Sequence, residues 1–312
     1  MGLLKDAIDE LNQLKLDSCT TESIQAVLSK FGAIPAPIRD IHKGSLIYRA
    51  SNLGIDEEIN NVRRLSYCPA EKNKTFQRAS TPKQTMFYGV VGNILENSHP
   101  INCEMLAMQE SCSLFRDSPI VDGIYRVVVS KWRVLDTISL LTLMNPDTTN
   151  KSRRLNEMVQ GLLAYIKKNA DKFSEEDAIA FQKFMCNQFT RSVNNDNLYK
   201  ISALFTLEII KRIDGVIWQS SVAVDEKLND TLCVAIKPET VDTCMECEEY
   251  SLYTFVVKNG KISSYSREIF KLTTNSTHSK KKKRIIKSIK RGKGIITKRR
   301  IRKRYRRKNE RH

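Results

Sequence analysis

Leu155, Met158, Val159, Leu162, Leu163 and Ile166 recur every three or four positions, the period of a helix that buries one face. Two further helices are expected in the same block, one opened by the capping-box pattern Ser174-Glu-Glu-Asp177 and one marked by Ile201, Leu204, Phe205 and Ile209. On either side the pattern changes to short strand-like runs. Leu46–Ala50, Met86–Val91 and Ile124–Val134 precede the block; Val216–Val222 and Leu232–Ile236 follow it. A last pair, Leu252–Val257 and Lys261–Tyr265, flanks Asn259-Gly260, a dipeptide that accepts the positive φ angles of a tight hairpin. Strands, then helices, then strands do not make the regular alternation of a parallel α/β sheet, so the expected class is α+β, with a helical insertion at about residues 150–212.

Two short amphipathic helices are expected ahead of this core. One carries Leu4, Ile8, Leu11 and Leu14; the other carries Ile24, Val27, Leu28 and Phe31, starts at a Thr20-Thr21 cap and stops at Gly32. The resulting division is a helical segment over 1–39, a main domain over 40–270 and a tail over 271–312. The net charge of +17 would suggest a nucleic-acid protein if it were spread over the chain. It is not. Residues 276–312 hold 19 Lys and Arg against one Glu, whereas residues 1–275 hold 33 basic and 34 acidic side chains. The body is neutral, and a block of like charges such as Lys280–Lys308 repels itself and is expected to be disordered. It reads either as a solvated tail or as a non-specific site for RNA, DNA or acidic lipid, met through phosphates, since Tyr305 is the sole aromatic available for stacking.

Several chemistries are excluded by what the chain lacks. No Gly-rich dinucleotide fingerprint follows any strand, which argues against a Rossmann site. The four histidines, His42, His99, His278 and His312, are too few and too scattered for a His-based triad or a His-rich metal centre. Cys244-Met-Glu-Cys247 has the spacing of half a zinc site, but no second pair follows it, so no metal is expected. The eight cysteines show no regular spacing and read as reduced thiols of a cytoplasmic protein. Met1–Glu10 meets charge at once, and no apolar run approaches the length of a membrane span.

The stretch from Leu46 to Ser111 carries Leu-Ile-Tyr-Arg49, Leu-Ser-Tyr67-Cys-Pro, Gln-Arg78-Ala-Ser, Met-Phe-Tyr88-Gly and Ala-Met-Gln-Glu110-Ser. Arginine offers a rigid fork of donors suited to a pyrophosphate, and tyrosine offers a flat face with a hydroxyl. Further on, Asp214-Gly-Val-Ile-Trp-Gln-Ser220 precedes Cys233-Val-Ala-Ile-Lys-Pro238. In this order the motifs resemble the RES domain, a bacterial family whose characterised members are toxins of toxin–antitoxin pairs that consume NAD on an ADP-ribosyltransferase-like fold. The resemblance implies a mixed, largely antiparallel core, NAD as substrate and an antitoxin protein as partner. It implies that Arg49 and Arg78 hold the diphosphate, that Tyr88 lies beside the nicotinamide ribose, and that Glu110 holds the ribose and stabilises the developing cation. Ser220 would supply a ribose or acceptor contact, with Ser221 as the one-residue alternative, which faces the opposite way on a strand. Glu104 competes with Glu110 for the carboxylate role, but six residues separate them, so they lie on different faces of a helix; Glu104 is read as the solvated one. Gln77 and Ser80 stand where the family has Gly and Asn, Gln219 where it has Pro, and Cys233 where it often has Asn. A Gln adopts positive φ less readily than Gly, so the turn around Arg78 is expected to differ.

Overall fold

The computed structural model describes residues 3–92, 100–116, 120–147, 153–191, 193, 195–220, 231–273 and 284–296. Its helices are α1 (Leu3–Gln13), α2 (Thr21–Leu28), α3 (Pro100–Ser111), α4 (Ser113–Arg116), α5 (Arg153–Lys168), α6 (Glu175–Thr190), α7 (Lys200–Ile209) and α8 (Pro238–Cys244). Its strands are β1 (Ile38–Ile41), β2 (Leu46–Leu53), β3 (Phe87–Val91), β4 (Gly123–Val134), β5 (Ile138–Leu143), β6 (Gly215–Gln219), β7 (Leu232–Ile236), β8 (Met245–Lys258), β9 (Lys261–Thr273) and β10 (Arg284–Ile296). The protein is α+β, with mixed strand pairing. The chain divides into two compact units, each assembled from three separate segments.

The first unit comprises Met1–Ser45, Tyr67–Val91 and Val134–Met245. Its strands lie in the order β1-β5-β6-β7-β3. Three of the four pairings are antiparallel, but β5 and β6 run parallel, with Leu141 opposite Val216. A parallel pair needs a long crossover. Here α5, α6 and α7 supply it. Strands β6 and β7 are central, and their near-continuous apolar sequence, Val-Ile-Trp and Leu-Cys-Val-Ala-Ile, is buried throughout. Phe181 of α6 packs edge-on against Phe31 and tilts against Phe205 of α7, while Phe189 meets Trp218 of β6 at 5.1 Å. The expected caps form: Thr20 accepts from the Ser23 N–H, and Ser174 accepts from the Asp177 N–H.

Gly215 shows why Asp214-Gly-Val is written as it is. Its φ is +155°, and a Cβ there would fall 2.0 Å from the Ala235 carbonyl oxygen. Only glycine lets β6 lie this close to β7. The neighbouring Asp214 carboxylate accepts from the Ser139 N–H at 2.9 Å and from the Thr240 hydroxyl at 2.7 Å, and lies 3.5 Å from the Lys237 ammonium. One side chain thus joins the starts of β5, β6 and α8.

The second unit comprises Leu46–Ser66, Gly92–Arg133 and Glu246–His312, with strand order β2-β4-β8-β9-β10. The hairpin between β8 and β9 turns at Asn259 (φ 53°) and Gly260 (φ 65°), the positive pair that the dipeptide predicts, and the Asp122 carboxylate accepts both of their N–H groups at 2.8 Å. Helix α3 packs on β2. Part of the tail expected to be disordered forms β10, which pairs antiparallel with β9 from Arg284 opposite Thr273. Charge counting missed this because the segment also carries five isoleucines, β-branched residues that favour a pleated strand. Lys280–Lys283 and residues 297–312 lie outside the described residues.

Candidate functional site

In the first unit, Arg78 sits at the tip of a tight turn in which Gln77 and Ser80 exchange backbone hydrogen bonds of 2.8 and 3.3 Å. Gln77 is not among the residues with positive φ, so the turn does not need a glycine at that position. The turn is braced from β3. The Tyr88 hydroxyl accepts the Ala79 N–H at 3.0 Å and shares a 2.8 Å hydrogen bond with the Ser80 hydroxyl. The Ser80 oxygen, fully buried, also accepts the Met86 N–H at 3.0 Å. The bracing leaves the Arg78 side chain pointing at the end of α6, where its Nη1 donates to the Phe189 carbonyl and, at 3.1 Å, to the Arg191 carbonyl. Its guanidinium lies 5.4 Å from the centre of the Tyr199 ring.

Those carbonyls flank Thr190, which belongs to the wall of an open cleft of about 260 Å³. Lys183, Cys186, Asn187 and Thr190 line it from α6, at the i, i+3, i+4 and i+7 positions that share one helical face. Gln219 and Ser220, at the end of β6, line it with Asn145. Ser220 is 9% exposed, and its N–H donates to the Thr231 carbonyl at 2.9 Å. Ser221 lies outside the described residues. Cys186 is a poor nucleophile here, because burial pushes its thiol up to about 11 against a weaker opposing backbone hydrogen bond. The cleft is therefore a surface of amides and hydroxyls with one ammonium, Lys183, itself 2.6 Å from Asp147.

Arg191, which the sequence reading passed over, stands beside Arg78. Its Nη2 donates to the Leu198 carbonyl, while its Nε is buried and has no hydrogen-bond partner among the described residues. Burial depresses its basicity; Tyr199 opposes that effect and the neighbouring Arg78 charge adds to it. Among the described residues, neither guanidinium has a carboxylate within ion-pair distance.

No protein-family model, curated protein or solved structure matches this chain. The site is accordingly defined by its own geometry.

The other expected residues belong to the second unit. Arg49, half-buried on β2, donates from Nε to the Ser66 carbonyl at 2.9 Å. Glu110 lies half-buried in the last turn of α3. Glu104 is not the solvated residue the sequence reading expects. It is 4% exposed and accepts from the Ser251 hydroxyl at 2.7 Å, from the Tyr253 hydroxyl and from the Arg267 guanidinium at 2.8 Å. Burial first, and then the Glu104 charge, drives the Tyr253 hydroxyl far above its ordinary value. Glu104 instead anchors α3 to the hairpin of β8 and β9. Among the described residues, no three His, Cys, Asp or Glu side chains cluster as metal ligands, and no helix is long and apolar enough to cross a membrane.

Proposed function

We propose that this protein consumes NAD by cleaving the bond between nicotinamide and ribose, as its RES-like motifs imply. The observation that carries the reading is the linkage of Tyr88, the Arg78 turn and the end of α6, the helix whose polar face lines the cleft at Ser220. Tyr88 and Arg78, ten positions apart, are thus tied to the helix whose polar face lines a cleft beside a third motif residue, Ser220. At about 260 Å³ the cleft falls just below the ~300–1,000 Å³ typical of ligand pockets, so it suits one end of a dinucleotide.

In this mechanism Arg78 neutralises the diphosphate, a role the resemblance also gives to Arg49. The C–N bond to nicotinamide breaks, and its electron pair leaves with the base. Positive charge then develops on the ribose, and the resemblance gives Glu110 the role of stabilising it in the manner of glycoside cleavage. An acceptor oxygen closes the reaction by attacking the same carbon and releasing its proton. Water gives a hydrolase, phosphate a phosphorylase, and a protein or nucleic-acid group a transferase. Tyr88 flanks the nicotinamide end, and Ser220 contacts the ribose or acceptor.

The test is to incubate the purified protein with NAD, with and without phosphate, and to follow free nicotinamide. Release by the wild type that falls at least tenfold in Glu110→Ala supports the reading. No release, or equal release by that variant, overturns it. A second reading, polyanion binding, is favoured by the confinement of all excess positive charge to residues 276–312. It calls for RNA or DNA affinity that falls steeply between low and moderate salt. Affinity insensitive to salt would overturn that reading.

A further inference from the structure

The proximity of Arg78 and Arg191 calls for an explanation. Arg78 donates to the Arg191 carbonyl at 3.1 Å, the two positive charges repel each other, and among the described residues no carboxylate offsets them. Helix ends attract cations, so the carbonyls at the end of α6 account for part of the arrangement. Backbone carbonyls account for only one nitrogen of each side chain: Nη1 of Arg78, shared between Phe189 and Arg191 at the end of α6, and Nη2 of Arg191, bound to Leu198 in the turn before α7. The buried, unpartnered Nε of Arg191 is left over. Buried donors are rarely left unpaired, and such an exception marks a place where a further acceptor belongs. The Tyr199 ring beneath Arg78 holds that guanidinium flat without offering it an anion.

We infer that Arg78 and Arg191 together bind a diphosphate, Arg191 being the second cation of the site. A doubly charged group with several oxygens would relieve the repulsion, satisfy Nε and accept bidentate donation from both forks. The position fits, since the carbonyls that anchor Arg78 flank Thr190 of the polar cleft, so a ligand whose phosphates lie on the arginines can extend its sugar towards Ser220. The inference rests on the proposed function in treating Arg78 as a phosphate contact, and it specifies the ligand class as a nucleoside diphosphate or its ester.

Calorimetric titration of the full-length chain with inorganic pyrophosphate, and separately with ADP-ribose, tests this directly. Four proteins are compared: wild type, Arg78→Gln, Arg191→Gln, and Arg212→Gln, which alters an exposed arginine of the same unit. The expected result is a loss of about tenfold or more in affinity for both ligands in the first two variants, and none in the third. ADP-ribose binding tighter than pyrophosphate in the wild type identifies a nucleotide site; equal affinities identify a site for the free anion. Equal affinity in all four proteins, as binding by the basic tail would give, overturns the inference. So does the absence of wild-type binding at millimolar ligand. If Arg191→Gln does not fold by circular dichroism, Arg78→Lys and Arg191→Lys replace the glutamine variants. They keep the charge but lose the fork, and affinities equal to wild type would then overturn the inference. Nicotinamide release measured on the same wild-type sample separates the two ideas, because an arginine-dependent diphosphate site without NAD loss retains the inference and rejects the reaction.

Discussion

The Tyr88 hydroxyl oxygen accepts the backbone N–H of Ala79 at 3.0 Å, which ties strand β3 to the turn that carries Arg78. Replacing Tyr88 by Phe keeps the ring and removes this tie. The Ala79 N–H and the Ser80 hydroxyl then each lose a partner in a half-buried setting. The expected cost is about 1–3 kcal/mol in urea unfolding. Diphosphate affinity should fall as well, since Arg78 is no longer aimed. A Tyr88→Phe protein with wild-type stability would show that the hydroxyl does not brace the turn.

Glu104→Ala is expected to be far more damaging to stability than Glu110→Ala. It leaves Arg267, with a side chain 13% exposed, facing Ser251 and Tyr253 with no counter-charge. Breaking a buried ion pair from one side costs about 3–5 kcal/mol. Chemical denaturation of the two variants checks the order, and equal midpoints would refute it. The comparison also guards the catalytic test, because activity lost in Glu104→Ala would follow from loss of the fold.

Gly215→Ala is expected to destabilise the first unit by about 2 kcal/mol or more, through a clash with Ala235 and a backbone angle unsuited to a side chain. A lowered thermal midpoint would register it. Gly161→Ala, in α5 where an added Cβ meets no atom within 4 Å, is expected to be neutral or stabilising by up to about 1 kcal/mol.

The Glu57 carboxyl is held down to about 2, chiefly by its hydrogen bond to Arg64 and then by the Gly54 N–H. Its ordinary value is 4.5. A depressed carboxylate stabilises the fold fully above the ordinary value, and the contribution disappears as pH falls from there towards 2. Wild type and Glu57→Gln should therefore differ in stability at pH 6 and converge near pH 2. Because the side chain is 37% exposed, solvent keeps the difference small. A gap that widens on acidification would contradict the assignment.

Much of the framework is legible from local pattern. Asn259-Gly260, Ser174 with Asp177, and the buried runs of β6 and β7 each carry their instructions within a few residues. Strand β1, Ile-Arg-Asp-Ile, has too few apolar residues to stand out and owes its conformation to pairing with β5. The roles of Glu104 and Arg191 are invisible for a different reason. Glu104 meets its partners 147 to 163 residues later in the chain, and Arg78 reaches the Arg191 carbonyl across 113 positions. No periodicity spans such distances. Arg78, Tyr88 and Ser220 could be named from motifs, but what holds Arg78 in place could not.

The parallel rung between Leu141 and Val216 can close only after residues 144–214 have been looped out. That closure slows folding of the first unit relative to a sheet of hairpins. It also frees the crossover to vary. Doubling a flexible loop adds only about 0.6 kcal/mol of closure entropy. The cleft wall on α6 is therefore mounted on the segment that can lengthen, shorten or change sequence at least expense to the sheet. Ligand preference in proteins built this way can diverge while Gly215, Asp214 and the strand order stay fixed.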